Sequence, residues 1–362
     1  MVLQLKCNYL DEQYIRRCLQ LARCGRGSTS PNPMVGAVIV CDNRIIGEGY
    51  HIRAGEPHAE VNAVRSVKES DRKLLKKSTI YVSLEPCSHY GKTPPCCDLI
   101  ISCGIPRVVI AATDINAQVN GAGIARMRAA GIEVVSGVLA EEGYLLNESF
   151  FTLHKCSRPY ITLKWAETAD GFIDKRRNTA SDGEPLAIST PESLVAMHRL
   201  RAGCDAILVG SRTALLDNPS LTVRHWCGRN PLRLVIDRKN SLPSELRIFD
   251  GTVPTLLFTY LPKEGKYGKN VEQIGLLENG SVLSQVMAHL AQRKINSLLV
   301  EGGAELLTAF IDANLWDAIR VERNPSLSIG EGVAAPEVPY DASSAVEYCS
   351  GNEIYLYAHK KS

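Results

Sequence analysis

Between residues 11 and 24 the apolar side chains Ile15, Cys18, Leu19 and Ala22 recur at three- and four-residue steps, the spacing of one helical face. Asp11 offers this helix a cap and Gly25 a stop. The period then shortens. VGAVIVC (35–41) and RIIGEGY (44–50) are short apolar runs around Asp42-Asn43, which predicts a hairpin. A helix starting near His58 leads to the strand TIYVSL (79–84) and to a helix from about Pro95 to Ser102. The strand RVVIAAT (107–113), a helix near 122–130, the strand IEVVSG (132–137) and a helix over 139–153 complete the segment. Helices alternating with short buried strands predict an α/β sheet domain.

HKCSRP (154–159) is polar and carries a proline, so the boundary between domains is placed there, giving segments 1–153 and 159–362. The second segment repeats the α/β pattern, with expected strands YITLKWA (160–166), DAILVG (205–210), LRLVID (232–237), TLLFT (255–259) and NSLLVEG (296–302). PKEGKYGKN (262–270) reads as an exposed loop. The 362 residues agree with about two domains.

Composition narrows the function. The chain is 45% hydrophobic and 22% charged, which is globular, and 41 basic against 39 acidic side chains leave a net charge of +2. Without a long charge run, nucleic acid is not an expected partner. The N-terminus lacks a signal-peptide core, and no apolar run approaches the roughly 20 residues that span a bilayer. A cytoplasmic protein with no membrane partner is therefore expected. In a reducing compartment the 12 cysteines point to metal binding or catalysis rather than to disulfides.

PHAEVNAV (57–64) places His58 and Glu60 two residues apart at a helix start. Successive helical residues turn by about 100°, so the two side chains have different tasks. Together with Pro86-Cys87 and a later cysteine, they form the His/Cys/Cys zinc signature of nucleobase-type deaminases. Three protein ligands leave a fourth tetrahedral position for water, whose pKa zinc lowers towards about 7. Glu60 would carry protons from that water to the departing amine. Spacing alone leaves Cys96 and Cys97 as alternatives for the last ligand.

The loop EPCSHYGKTPPC (85–96) is longer than the common P-C-x-x-C and resembles that of the bifunctional riboflavin-biosynthesis deaminase–reductases. SPNPMVGAV (30–38), GYHIRAGEPHAE (49–60) and TDINAQVNGAGI (113–124) resemble the same family. The resemblance implies a cytidine-deaminase-like three-layer fold, with His58, Cys87 and Cys96 as zinc ligands and Glu60 as the catalytic residue. Pro94-Pro95 favours helix initiation and puts Cys96 in a first turn, where backbone N–H groups stabilise a thiolate; Cys97 then points into the core. By matching positions, Asn32, His51, His89 and Lys92 would hold the pyrimidine and ribose phosphate of the substrate. Read alone, Asn32 is a turn residue and Lys92 a solvated loop charge. NGAG (120–123) is not a dinucleotide fingerprint, because Arg126 stands where G-x-G-x-x-G needs its last glycine.

The second segment shows three weaker features: TLKWAETADGF (162–172), LVGSRTALLDNPSLTVR (208–224) and LLVEGGAELLTAF (298–310). The last two put polar groups or a Gly-Gly turn straight after a buried strand, where α/β sheets bind ligands. D-N-P-S-L-T-x-R (217–224) and V-E-G-G resemble the family's reductase domain, which implies a dihydrofolate-reductase-like α/β fold and NADPH. Positions then assign Thr213, Asp217 and the turn from Gly303 to the cofactor, and Arg201, Leu221, Arg224 and Glu301 to the substrate. Arg238, with Arg212 and Lys239, is a nearby candidate for the cofactor's 2′-phosphate. Two stretches depart from the family: PLAIS (185–189) replaces S-x-W-I-T, and RNPSLSIGEG (323–332) replaces an apolar segment with proline and lysine.

The resemblance thus implies two consecutive steps in one chain. Zn2+-dependent hydrolytic deamination of 2,5-diamino-6-(5-phosphoribosylamino)pyrimidin-4-one is followed by NADPH-dependent reduction of ribosyl to ribityl. A small phosphorylated pyrimidine is the expected partner, and a homo-oligomer the expected assembly. The rival expectations are a deaminase with an inactive reductase-like domain, and a zinc-stabilised nucleotide-binding module without catalysis.

Overall fold

The helical stripe at the N-terminus becomes helix α1 (Val2–Arg23), which buries Ile15, Cys18, Leu19 and Ala22 against a sheet. The computed structural model describes residues 2–88, 90, 94–114, 121–339 and 342–359, with side chains from Tyr9 onward. Because α1 starts at Val2, Asp11 lies inside the helix instead of capping it. Its buried carboxylate pairs with Arg107 at 2.8 Å and accepts the Tyr81 hydroxyl at 2.9 Å. The chain divides into two units, Met1–Cys156 and Ser157–Ser362.

In the first unit α1 is followed by β1 (Gly36–Cys41), β2 (Arg44–Tyr50), α2 (Ala59–Ser66), a 3-10 turn and β3 (Thr79–Leu84). Then come α3 (Cys96–Ser102), β4 (Arg107–Ala112), α4 (Ala122–Ala129), β5 (Glu133–Ser136), α5 (Ala140–Leu146) and α6 (Glu148–Cys156). The sheet order is β2-β1-β3-β4-β5, with β1 antiparallel to its neighbours and β3, β4 and β5 parallel. Alternate residues serve opposite faces. Ile39, Val82 and Ile110 pack with residues of α2, α3 and α4, whereas Val38, Tyr81 and Val109 pack with α1. These are three layers, the arrangement that the family resemblance implies. The helix expected over 139–153 is two helices, because the Asn147 side chain turns away to pair with the backbone of Met34 at 2.7 and 2.9 Å.

Gly49 fixes the distance between β2 and α2. A Cβ there would sit 2.4 Å from the Ala63 nitrogen and 2.7 Å from the Ala59 oxygen. Since His58 is the N-cap of α2, Gly49→Ala is expected to cost about 1–3 kcal/mol and to loosen whatever His58 binds. Metal titration and thermal unfolding of the variant check this; unchanged values would show that α2 can yield.

The second unit runs β6 (Tyr160–Thr168), β7 (Phe172–Asp174), α7 (Pro191–Gly203), β8 (Ala206–Gly210), α8 (Ser211–Asp217) and β9 (Leu232–Ile236). It continues with β10 (Thr255–Thr259), β11 (Val271–Gly275), α9 (Val282–Gln292), β12 (Ser297–Val300) and α10 (Ala304–Asp312). Strands β13 (Ala318–Asn324), β14 (Val333–Ala334), β15 (Ser343–Cys349) and β16 (Asn352–Ala358) end it. The sheet order is β11-β10-β9-β8-β12-β6-β13-β16-β15, parallel from β11 to β13 and antiparallel beyond. After β8 the chain moves outward to β11 and then returns to place β12 between β8 and β6. Ligands of open α/β sheets bind beside such a reversal, at the carboxyl ends of the strands. RNPSLSIGEG, whose sequence is unlike the family pattern, leaves β13 and is held by Asp170, which accepts the Ile329 and Gly330 N–H groups at 3.1 and 2.8 Å. Among the described residues no helix is long and apolar enough to cross a membrane.

Candidate active sites

His58 is the N-cap of α2 and Glu60 lies in its first turn, so both follow from how that helix starts. Cys87 follows β3, and Cys96 is the first residue of α3, capped by Pro95. The His58 Nδ1 lies 3.6 Å from the Cys87 sulfur and 3.4 Å from the Cys96 sulfur, and all three donor atoms fall within 4.8 Å of one another. A tetrahedral ion with metal–sulfur near 2.3 Å and metal–nitrogen near 2.0–2.1 Å separates S and N by about 3.6 Å. The donor set and its spacing fit zinc. Cys97, fully buried, packs with Ala63, Ile100 and Ile110 in the core.

The electrostatics of the cluster follow from its crowding. The hydrogen bond from Cys96, helped by His58 and by the Cys96 backbone N–H at 3.3 Å, holds the Cys87 thiol down at about 4 against burial. Cys87 and burial in turn push the Cys96 thiol far up. The first N–H of α3 therefore serves the sulfur of Cys87, and not that of Cys96 as the sequence suggests. His58 is raised by its bond to Cys87. Glu60 is buried and lies against the Cys96 thiol; burial raises its carboxyl, as does the negative charge of Cys87.

Asn32 and His51 come together beside this cluster. His51 directs Nδ1 to the Pro57 carbonyl at 3.2 Å, which makes Nδ1 the protonated nitrogen, and Nε2 accepts from Asn32 Nδ2 at 3.1 Å. Its ring meets His58 edge-on at 5.5 Å, and burial lowers its pKa. His89 and Lys92 lie outside the described residues.

Glu85 escapes a reading of the sequence for ligands. Its buried carboxylate accepts the N–H groups of Asp114, Gly121, Gly123 and Ile124 at 3.1–3.3 Å, fastening the start of α4 beside Pro86-Cys87. The approach is close enough that a Cβ at Gly123 would meet the Pro86 oxygen at 2.4 Å. The signal was available in the sequence: Glu85 immediately precedes the ligand dipeptide.

In the second unit a cavity of about 880 Å³ opens at the carboxyl ends of β8, β9 and β12. Thr213, Asp217, Arg238, Gly303 and Glu301 all line it. Thr213 Oγ1 accepts the Gly303 N–H at 2.9 Å, and α10 begins there without a side-chain cap. Uncapped N–H groups and the cations Arg212 and Arg238 suit the phosphates of a dinucleotide. The donor chemistry and volume therefore fit NADPH.

Arg201 grips Glu301 in a buried bidentate pair, at 2.9 Å through Nε and 2.6 Å through Nη2. Burial opposes the charge of Glu301, but Arg201 keeps its carboxyl below the usual range. Arg201 also donates to the Thr222 carbonyl at 3.2 Å, and exposed Arg224 to the Thr222 hydroxyl at 3.2 Å, so the two arginines converge on one residue. The His198 Nδ1 accepts the Arg224 backbone N–H at 2.9 Å. Leu221 is buried in the core at φ 53°, so any ligand contact it makes is through its backbone. Lys164 was missed, although it is the only cation in the strand YITLKWA. It lines the cavity 3.9 Å from Glu322, and burial lowers its pKa.

Comparison with known proteins finds relatives for both units. Residues 8–112 match the cytidine and deoxycytidylate deaminase zinc-binding region, and residues 159–338 match the RibD C-terminal domain. The riboflavin biosynthesis protein RibD of Aquifex aeolicus is 40% identical over 330 residues, covering 90% of this chain and 89% of its own. That of Escherichia coli is 40% identical over 333 residues, covering 88% of each. A crystal structure from Thermotoga maritima, described as a diaminohydroxyphosphoribosylaminopyrimidine deaminase/5-amino-6-(5-phosphoribosylamino)uracil reductase, superposes with a TM-score of 0.87 at 36% identity, covering 97% of this chain and 99% of that one. Both units thus match one group of proteins along nearly the whole chain, and the chain belongs to the RibD family of riboflavin-biosynthesis deaminase–reductases.

Proposed function

We propose that the first unit deaminates a phosphoribosylated diaminopyrimidinone and the second reduces its ribosyl group to ribityl with NADPH. The observation that carries the reading is the His58–Cys87–Cys96 triangle with the Glu60 carboxyl against it. Zinc, when bound there, supplies a water of lowered pKa. Hydrolysis joins the oxygen of water to the ring carbon and releases the exocyclic amine as ammonia, so one water proton goes to the leaving nitrogen and the other to a ring nitrogen of the carbonyl product. Glu60 is the residue placed to take them, because its carboxyl lies buried against the metal ligands, and burial raises its pKa. His51 engages the amide nitrogen of Asn32, which leaves the Asn32 oxygen to accept from a pyrimidine amine. His89 and Lys92 complete the proposed substrate contacts.

Reduction breaks the anomeric C–O bond, adds a hydride to carbon and a proton to the departing ring oxygen. Arg224 is the exposed guanidinium for the substrate phosphate, while Arg201 holds Glu301 and Thr222 in place. Lys164, buried with its pKa lowered, is positioned to supply the proton. Thr213, Asp217, Arg238 and the turn at Gly303 form the cofactor side, with Arg238 reading the 2′-phosphate. Strand β15, with Val346 46% and Tyr348 78% exposed at a sheet edge, supports the expected homo-oligomer, and the cytoplasm is the expected compartment.

The test supplies the pyrimidinone and follows ammonia and NADPH in one reaction. Ammonia release followed by stoichiometric NADPH oxidation is expected. Ammonia without NADPH oxidation would restrict the chain to deamination, and absence of both would reject the reading.

A further inference from the structure

The segment Pro185–Ser189 lines the cavity, and its far end is tied to the sheet: Ser189 donates to Glu322 at 2.8 Å, and the Ile188 carbonyl accepts from Asn324 and Asn352 at 3.1 and 3.3 Å. Residues 180–185 are exposed, and within the segment only Ile188 is buried. The tie at its near end comes from β7: Asp174 Oδ1 accepts the Leu186 N–H at 2.8 Å. The other oxygen of Asp174 accepts from Arg177, through Nε at 2.8 Å and Nη2 at 2.6 Å. Arg177 also donates through Nη1 to the Leu216 carbonyl at 3.1 Å and the Gly183 carbonyl at 3.5 Å, and through Nη2 to Asp217. Its side chain is 2% exposed. Every N–H of the guanidinium thus has a partner within the protein, on β7, the following loop and the end of α8. Its own carbonyl accepts from Arg212 Nη2 at 2.7 Å, which orients a second arginine of the same cavity.

We propose that Arg177 is a positioning residue for the dinucleotide: held between Asp174 and Asp217, it fastens the Pro185–Ser189 wall to helix α8 and so sets the affinity for NADPH. Arg177 itself lines the cavity, but with its donors all engaged it acts through the wall and not by donating to the ligand. The charged clamp sits where this chain has proline and alanine in place of the family's serine and tryptophan, so the near end of the wall is held from behind, through the Leu186 backbone. The fork matters, because a lysine ammonium has no planar set of five donors with which to reach two carboxylates and two carbonyls at once.

The inference rests on the reading of the cavity as the NADPH site, and the experiment separates the two. NADPH is titrated into the wild-type protein, Arg177→Lys and Arg177→Met, with binding followed by nucleotide fluorescence and folding by near-ultraviolet circular dichroism and thermal unfolding. Wild-type protein that fails to bind NADPH would reject the cavity reading itself. With wild-type binding in hand, the dissociation constant is expected to rise about tenfold or more in Arg177→Met and by less in Arg177→Lys, with KM for NADPH rising more than kcat falls. A lowered unfolding temperature with unchanged affinity would show a purely structural role and overturn the proposal. Should both arginine variants fail to fold, Asp174→Asn keeps the guanidinium and weakens its anchor. Weaker NADPH binding is expected there too, and unchanged binding overturns the proposal.

Discussion

Glu60→Gln leaves zinc bound and removes ammonia release, by about 100- to 10,000-fold. The substitution keeps the size of the side chain and its hydrogen-bonding oxygen, so α2 and the three ligand side chains stay where they are. It removes the one property that hydrolysis needs from this position, a group that takes a proton and gives it back. Burial makes the loss severe. Glu60 is 3% exposed, so bulk water is poorly placed to stand in for it. Two measurements on one preparation decide the matter: zinc content after dialysis, and ammonia released from the pyrimidinone. Full deamination by the variant would assign the proton transfer to another group, and loss of zinc would make Glu60 part of the metal site instead.

Cys96→Ala loses the metal, whereas Cys97→Ala keeps it. The sulfurs of these adjacent residues face different surroundings: Cys96 approaches His58 Nδ1 at 3.4 Å, while Cys97 is enclosed by the apolar core. Removing one of three protein ligands is expected to weaken zinc by more than about 100-fold, beyond the usual effect of changing a ligand's hydrogen-bond partner. Shortening Cys97 leaves a small apolar cavity, for which about 1 kcal/mol is expected, with zinc retained at one ion per chain. Metal analysis and thermal unfolding of the two variants give opposite patterns. A Cys96→Ala protein that still carries zinc would reject the triangle.

Much of the first site is legible along the chain because its parts are local. His58 and Glu60 belong to one helix start, Cys87 and Cys96 to one loop, and a turn of about 100° per residue already separates Cys96 from Cys97. The side of the helix dipole is not legible. Which sulfur receives the first N–H of α3 depends on how the loop folds back, and that N–H goes to Cys87. Asp11 shows the same limit: its spacing suits a cap, but the ion pair with Arg107 joins residues 96 positions apart.

By itself the sequence determined two α/β units and a His/Cys/Cys signature at the start of one helix and the end of one strand, while the ligand positions of the second unit came from the family resemblance alone. The former follow from periodicity and from short motifs, whose physics acts over a few residues. Only the tertiary structure decided what surrounds them: Arg201 locked to Glu301, Lys164 beside Glu322, Glu85 gathering four backbone N–H groups, and Arg177 clamped between Asp174 and Asp217. A buried charge must find partners wherever the fold brings them, and the distance along the chain carries no record of that pairing.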